Sequence, residues 1–274
     1  MTPELANGAF DAAKLTGPAA RALIRAGRWR RPTVGMAAGW VQANLAVLPR
    51  EYADDFREFC RRNPQACPLL DITDVGSPEP TGVAPGADLR VDVPRYRVYR
   101  RGDLEEEVDT LLSLWGPDLV GFLLGCSFTF EQALLRAGIR LRHLEMGRNM
   151  AMYRTNVECV SVGPFRSPLV VSMRPVPERL VPLTVEVTSR FSRAHGAPIH
   201  VGDPAGIGIA DIDRPDYGDP VPILEGEVPV FWACGVTPQA AAEAAGIELM
   251  LTHAPGHMFV TDLRDEQLED PPQA

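Results

Sequence analysis

The 274-residue chain predicts an α/β fold, a three-layer α/β domain carrying an inserted smaller α+β domain. Two segments predict the first part. Residues 120–124, V-G-F-L-L, form an apolar run of strand length that passes through G-C-S-F-T into a helix over residues 132–137. Residues 228–236, V-P-V-F-W-A-C-G-V, lead in the same way into T-P-Q-A-A-A-E-A-A-G-I. A third observation predicts the insertion: V-E-C-V-S-V, P-L-V-V-S-M-R-P-V and I-H-V-G are β-like segments around one helix, an antiparallel pattern unlike the rhythm on either side. The expected division is a discontinuous α/β domain of residues 1–114 and 206–274, with residues 115–205 as the insert.

Taken in order, residues 18–28 and 52–61 read as amphipathic helices. Arg21, Arg25, Arg28, Arg30 and Arg31 mix with Leu23, Ile24 and Trp29 at helical spacing, so that basic run belongs to the fold. Between the two helices, Gly35 and Gly39 suggest positive φ or close backbone approach, and the polar Gln42 and Asn44 interrupt an apolar stretch. Residues 64–94 are rich in Pro, Gly and Asp and read as a packed loop or a lid. A strand is expected over residues 94–101, a turn at Gly102 and Asp103, and a short helix over residues 108–115.

The next helix has Thr129 and Gln132 at capping-box spacing and Gly138 as a left-handed C-terminal cap, which puts Glu131 in the first turn. Residues 180–194, opened by Pro182, read as a helix. Thr237 is the expected N-cap of the last helix, with Pro238 at its first position and Gly246 closing it. A short strand over residues 248–252 and a frayed tail, D-P-P-Q-A, complete the chain.

Composition excludes several classes. Lys and Arg total 27 against 36 Asp and Glu, a net charge of −9, which is a poor match to a phosphate backbone, so nucleic acid is not an expected partner. No apolar stretch approaches the ~20 residues of a membrane helix, and M-T-P-E-L-A-N-G-A-F lacks a secretory pattern; a cytoplasmic protein is expected. The five cysteines include no C-x-x-C pair and read as reduced thiols. G-D-P-A-G-I-G-I fits neither dinucleotide nor P-loop patterns.

The candidate chemistry lies at the two strand-to-helix turns. Cys126 and Cys234 each sit at the mouth of a helix, where the dipole favours thiolate, and a pair of such thiols suits proton transfer at carbon. Glu131, in a first turn, either complements the dipole or shares a site where Cys126 and Ser127 hold a substrate carboxylate. His253 and His257 are four apart, but Pro255 and Gly256 break any helix that would aim both rings at one metal, so they are candidate acid/base groups and no metal is expected. Arg148, Asn149, Tyr153 and Asn156 offer a carboxylate fork, amides and a hydroxyl, and Asp203 ends a Gly/Pro turn framed by His195 and His200. Gln42 and Asn44 join these as candidate substrate-binding residues.

The segments F-C-R-R-N-P-Q-A-C-P-L-L-D-I-T-D, G-C-S-F-T-F-E-Q-A-L-L, H-L-E-M-G-R-N-M-A-M-Y-R-T-N, V-V-S-M-R-P, V-P-V-F-W-A-C-G-V-T-P-Q and T-H-A-P-G-H-M-F-V-T-D resemble the bacterial "putative hydro-lyase" family over about residues 18–265. That family is similar to the D-glutamate cyclase domain of a larger mitochondrial protein. The resemblance implies a cofactor-independent lyase that eliminates water from a small amino or hydroxy acid, such as the cyclisation of D-glutamate to 5-oxo-D-proline. Glu131, His253 or His257 is the expected acid/base, Asn156 with backbone N–H groups near Cys126 the oxyanion site, and Arg148 the carboxylate anchor. A non-catalytic carboxylate-binding protein and a Cys-dependent racemase are the alternatives, and a homo-oligomer is compatible with each.

Overall fold

The computed structural model describes residues 11–271; the first ten residues and the last three, including the end of the expected frayed tail, lie outside that range. Two sheets carry the fold, and every strand pair in them is antiparallel. After α1 (Gly17–Arg25), the ten-residue β1 (Trp40–Pro49) is the centre of the larger sheet. It leads into α2 (Arg50–Arg62), β2 (Leu69–Ile72), the hairpin β3 (Tyr96–Arg100) and β4 (Asp103–Val108), then β5 (Leu119–Gly125). There follow α3 (Phe128–Arg136), the single turn α4 (Arg142–Glu145), β6 (Ala151–Glu158), β7 (Pro168–Pro177) and α5 (Val181–Ser189). The chain ends with β8 (His200–Val201), β9 (Glu227–Ala233), α6 (Thr237–Ala245), β10 (Met250–His253) and β11 (Phe259–Arg264).

The larger sheet has the order β2-β5-β1-β10-β3-β4, with β11 also paired to β1; the smaller has the order β6-β7-β9-β8. β1 pairs with β5 from Ala43 to Pro49 along one edge and divides its other edge between β11 and β10. The α/β class is as the sequence predicts, but the sheet boundaries do not follow residues 115 and 206. β5, inside the expected insert, is a buried interior strand of the larger sheet, and β9, beyond it, completes the smaller. Strand pairing decides membership here, and pairing is set by contacts distant in sequence.

Side chains of both sheets share one core: Phe122 of β5 and Leu48 of β1 belong to the same buried cluster as Tyr153, Val171 and Phe231 of the smaller sheet. Phe56 of α2 packs edge-on to Phe122, centroids 4.9 Å apart, and lies 5.1 Å from Phe165. A second cluster places Phe130 and Leu134 of α3 against Trp232 of β9 and Phe191. These two packings fix the ends of β5 and β9 side by side.

Local expectations fail in three places. Residues 108–115 form no helix: Val108 ends β4 and residues 109–115 are turn and irregular backbone, while β4 itself is an edge strand whose Glu107 and Glu105 pair with Arg97 and Arg100 of β3 at 2.9 and 2.8 Å. Thr129 is not an N-cap, since α3 starts at Phe128 after Ser127. Thr237 likewise lies inside α6, which follows Val236; its hydroxyl donates to Cys234 O at 2.8 Å and accepts from Val170 N–H at 3.1 Å. Gly138 does adopt φ +79°, and Ile139 N–H closes on Leu134 O at 2.9 Å.

Candidate functional site

β5 ends because Gly125 passes between two neighbouring segments. Its N–H donates to Pro68 O at 2.7 Å, and a Cβ there would lie 1.9 Å from Arg193 O. The chain then turns through Cys126 and Ser127 into α3. β9 ends alike: Cys234 N–H donates to Val170 O at 2.9 Å, and a Cβ on Gly235 would sit 1.9 Å from Asn44 Nδ2. Asn44, on β1 between the two turns, donates through Nδ2 to Gly125 O at 2.8 Å.

The two turns line one small cavity of about 30 Å³, together with Asn44, Asn149, His253 and the flexible side chains of Met150, Met152 and Met258. The structure thus brings Cys126, Cys234, Ser127, Asn44, Asn149 and His253 into one place from five separate segments. Asn149 accepts from Met150 N–H through Oδ1 at 3.0 Å, and a Cβ on the facing Gly256 would stand 3.4 Å from its Nδ2.

The thiolate expectation is corrected. Burial pushes the Cys126 thiol up to about 12 and the Cys234 thiol up to about 11, outweighing the N–H groups of Phe128 and Val236 that favour thiolate. Both are therefore thiols at neutral pH. Burial also holds His253 down to about 4, so its ring is neutral. Nδ1 lies 3.1 Å from Leu45 N and 3.3 Å from Leu45 O, so the β1 backbone holds this side of the ring in either neutral tautomer.

Behind the cavity lies a buried network that the sequence reading missed. Arg174 of β7 is 1% exposed and donates to Glu131 Oε1 through Nη2 at 2.5 Å and Nε at 3.1 Å, and to Ser127 Oγ at 3.0 Å. Its guanidinium lies over the rings of Phe130 and Trp232, at 5.1 and 5.3 Å. The buried His143 reaches the same Glu131 oxygen at 3.1 Å. Burial alone would raise the Glu131 pKa, but Arg174 and His143 win and hold it below the usual carboxylate range. Glu131 is thus a paired anion. A charged residue inside the apolar run V-V-S-M-R-P was the signal for Arg174.

Five candidates stand elsewhere. Arg148 is exposed, with Nη1 donating to Pro220 O at 3.3 Å. Tyr153 is a core residue whose hydroxyl donates to Ile212 O at 2.6 Å. Asn156 is exposed beside Gly208, and the exposed Asp203 caps a 3₁₀ turn by accepting from Ala205 N–H at 3.0 Å. His257 is half-buried, with Nδ1 2.9 Å from Pro255 O. Gln42 lines a neighbouring pocket with Glu131. Among the described residues no group of three or more His, Cys, Asp or Glu is placed to hold a metal, and no helix is long and apolar enough to cross a membrane.

The chain is similar over most of its length to several bacterial proteins. A protein named "Putative hydro-lyase" from Geobacillus kaustophilus is 60% identical over 257 residues, covering 94% of this chain and 98% of that one. Proteins with the same designation from Rubrobacter xylanophilus and Bacillus subtilis are 61% and 57% identical, covering 91% and 90% of this chain and 96% of each relative. A profile described as D-glutamate cyclase matches residues 120–262, and the chain belongs to that family. The matched region spans both cysteine turns and the residues from β5 to β11 that surround them.

Proposed function

We propose that this chain closes D-glutamate into 5-oxo-D-proline with loss of water, in the cavity between the Cys126 and Cys234 turns. One observation carries the reading: the N-terminal turns of two nine-residue helices, α3 and α6, line the same cavity. Unpaired N–H groups and the helix dipole favour an anion at each, and a dicarboxylate supplies two.

In the reaction the amino nitrogen bonds to the γ-carbon, a C–O bond breaks, and two protons leave nitrogen to depart with oxygen as water. A carboxylate is a poor electrophile, so the site must donate to the oxyanion and carry protons. The neutral His253, in the tautomer in which Nδ1 accepts from Leu45 N–H, donates through Nε2 to the reacting carboxylate, as an electrophilic imidazole does. Cys126 and Cys234, thiols at rest, hand a proton to the departing oxygen and take one from nitrogen. Arg174 holds the Ser127 hydroxyl on the cavity wall, and Asn44 fixes the spacing of the turns. A cavity of about 30 Å³ admits little more than a water; Met150, Met152 and Met258 repack to admit substrate.

Chiral chromatography with mass spectrometry tests the proposal: D-glutamate should yield 5-oxo-D-proline, the reverse reaction should be measurable, and L-glutamate should react far more slowly. Absence of product from D-glutamate in both directions removes it. The paired thiols also favour a second reading, proton exchange at Cα by a racemase. Deuterium entering Cα in D₂O without ring closure would support that reading instead. Saturable thermal stabilisation by the acid, with neither reaction, identifies a binding protein.

A further inference from the structure

A second pocket, on the other side of Phe128 from the thiol cavity, is lined by the 35–40 loop, Gln42, Glu131 and Asp265. Two of its buried side-chain oxygens have no partner. The Gln42 amide is oriented by its nitrogen, which donates to Thr33 O at 3.0 Å and Met36 O at 2.9 Å. Oε1 must therefore face the opposite way, and among the described residues no donor meets it. Asp265, 2% exposed, has Oδ1 in the same condition, although its N–H is bound to Gly39 O at 3.1 Å. Glu131 commits only Oε1 to Arg174 and His143. Two buried acceptors without donors thus line the same pocket as a third residue with an uncommitted carboxylate oxygen.

We propose that this pocket binds a small monovalent cation, K⁺, Na⁺ or NH₄⁺, through Gln42 Oε1, the Asp265 carboxylate and Glu131 Oε2. Oxygen-only donors select hard cations. The charge of Glu131 is already matched by Arg174 at 2.5 Å, which leaves one carboxylate, Asp265, to neutralise and so favours a single positive charge. The pocket holds about 30 Å³ of free space, room for one ion or one water. Burial pushes Asp265 up to about 7, with Glu266 adding to the push and Arg136 and Arg264 opposing it, as expected of a carboxylate lacking its counter-ion. Ion binding would brace the 35–40 loop against α3 without touching the thiol cavity, and the inference is independent of which substrate that cavity takes.

The full chain, exchanged into choline chloride, should show a saturable rise in Tm on titration with KCl, NaCl or NH₄Cl at constant ionic strength. Asp265→Asn, confirmed folded by circular dichroism, should lose that rise. Equal Tm in choline and in all three salts, or an unchanged response in Asp265→Asn, overturns the proposal. Should that variant fail to fold, wild-type crystals soaked in thallium(I) acetate decide: an anomalous peak between Gln42 and Asp265 supports the site, and none there overturns it.

Discussion

Ser127 Oγ accepts a hydrogen bond from Arg174 at 3.0 Å, so the wall of the thiol cavity is tied to a fully buried guanidinium. The same nitrogen binds Glu131 at 2.5 Å, which makes the cavity's shape depend on an ion pair that water does not reach. Breaking one partner strands the other charge in an apolar surrounding. Arg174→Met is expected to cost about 3–5 kcal/mol, and Arg174→Met with Glu131→Gln to recover part of it. Urea unfolding of the three proteins measures this. Glu131 is held below its usual pKa of 4.5, so its stabilisation is complete above that value and is lost as pH falls through the lower, folded pKa.

Two buried imidazoles add a separate acid sensitivity. Burial holds His253 and His195 at about 4 against 6.5 when unfolded. Between those values the unfolded chain binds more protons, so stability is complete above pH 6.5 and falls as pH drops toward 4. Each ring accounts for roughly 3 kcal/mol over that window. His253→Asn should flatten the slope of unfolding free energy against pH by about one proton; an unchanged slope would show that His253 is already charged or exposed.

The thiols should be slow nucleophiles. With Cys126 at about 12 and Cys234 at about 11, iodoacetamide at pH 8 should label each at least ~100-fold more slowly than a free cysteine. Peptide mass spectrometry over time gives both rates. Rapid labelling of either would mean that its turn is open to water and that thiolate forms readily.

Both turns were legible because each is a local device: an apolar run stops at a Gly–Cys pair and an Ala-, Leu- or Gln-rich segment follows. Gly138 was readable for the same reason, since only a left-handed cap explains glycine there. β4 was not, because D-L-E-E-E-V shows no apolar–polar alternation and becomes a strand only through pairing with β3. The Glu131–Arg174 pair joins residues 43 apart, and nothing near Glu131 announces its partner. Thr129 shows the limit of spacing rules: the capping-box interval is present, yet packing of Phe130 on Trp232 accompanies a helix that starts earlier. Arg148, Tyr153 and Asn156 had suitable chemistry, but Arg148 lies exposed ahead of β6, and β6 directs Tyr153 to the core and Asn156 to the surface rather than the cavity.

The glycines of the two turns provide the test of how tightly the cavity is built. At Gly125 the obstacle to a Cβ is a backbone carbonyl, Arg193 O at 1.9 Å, which cannot rotate away. Gly125→Ala must therefore shift either the 192–194 turn or the end of β5, at an expected cost of about 3 kcal/mol. At Gly235 the obstacle is a side chain, Asn44 Nδ2, also at 1.9 Å. Gly235→Ala should destabilise by about 1–3 kcal/mol alone, and less when Asn44→Ala has cleared the space. Urea midpoints for Gly235→Ala, Asn44→Ala and the double variant form a cycle whose coupling should be favourable by about 1 kcal/mol or more. Asn44→Ala also removes the 2.8 Å bond to Gly125 O, so the double variant should fold while losing the fixed spacing between Cys126 and Cys234. If that spacing carries the proton transfers, kcat falls roughly 10²-fold in the refolded double variant while the fold survives; additive destabilisation with full kcat would separate Asn44 from both roles.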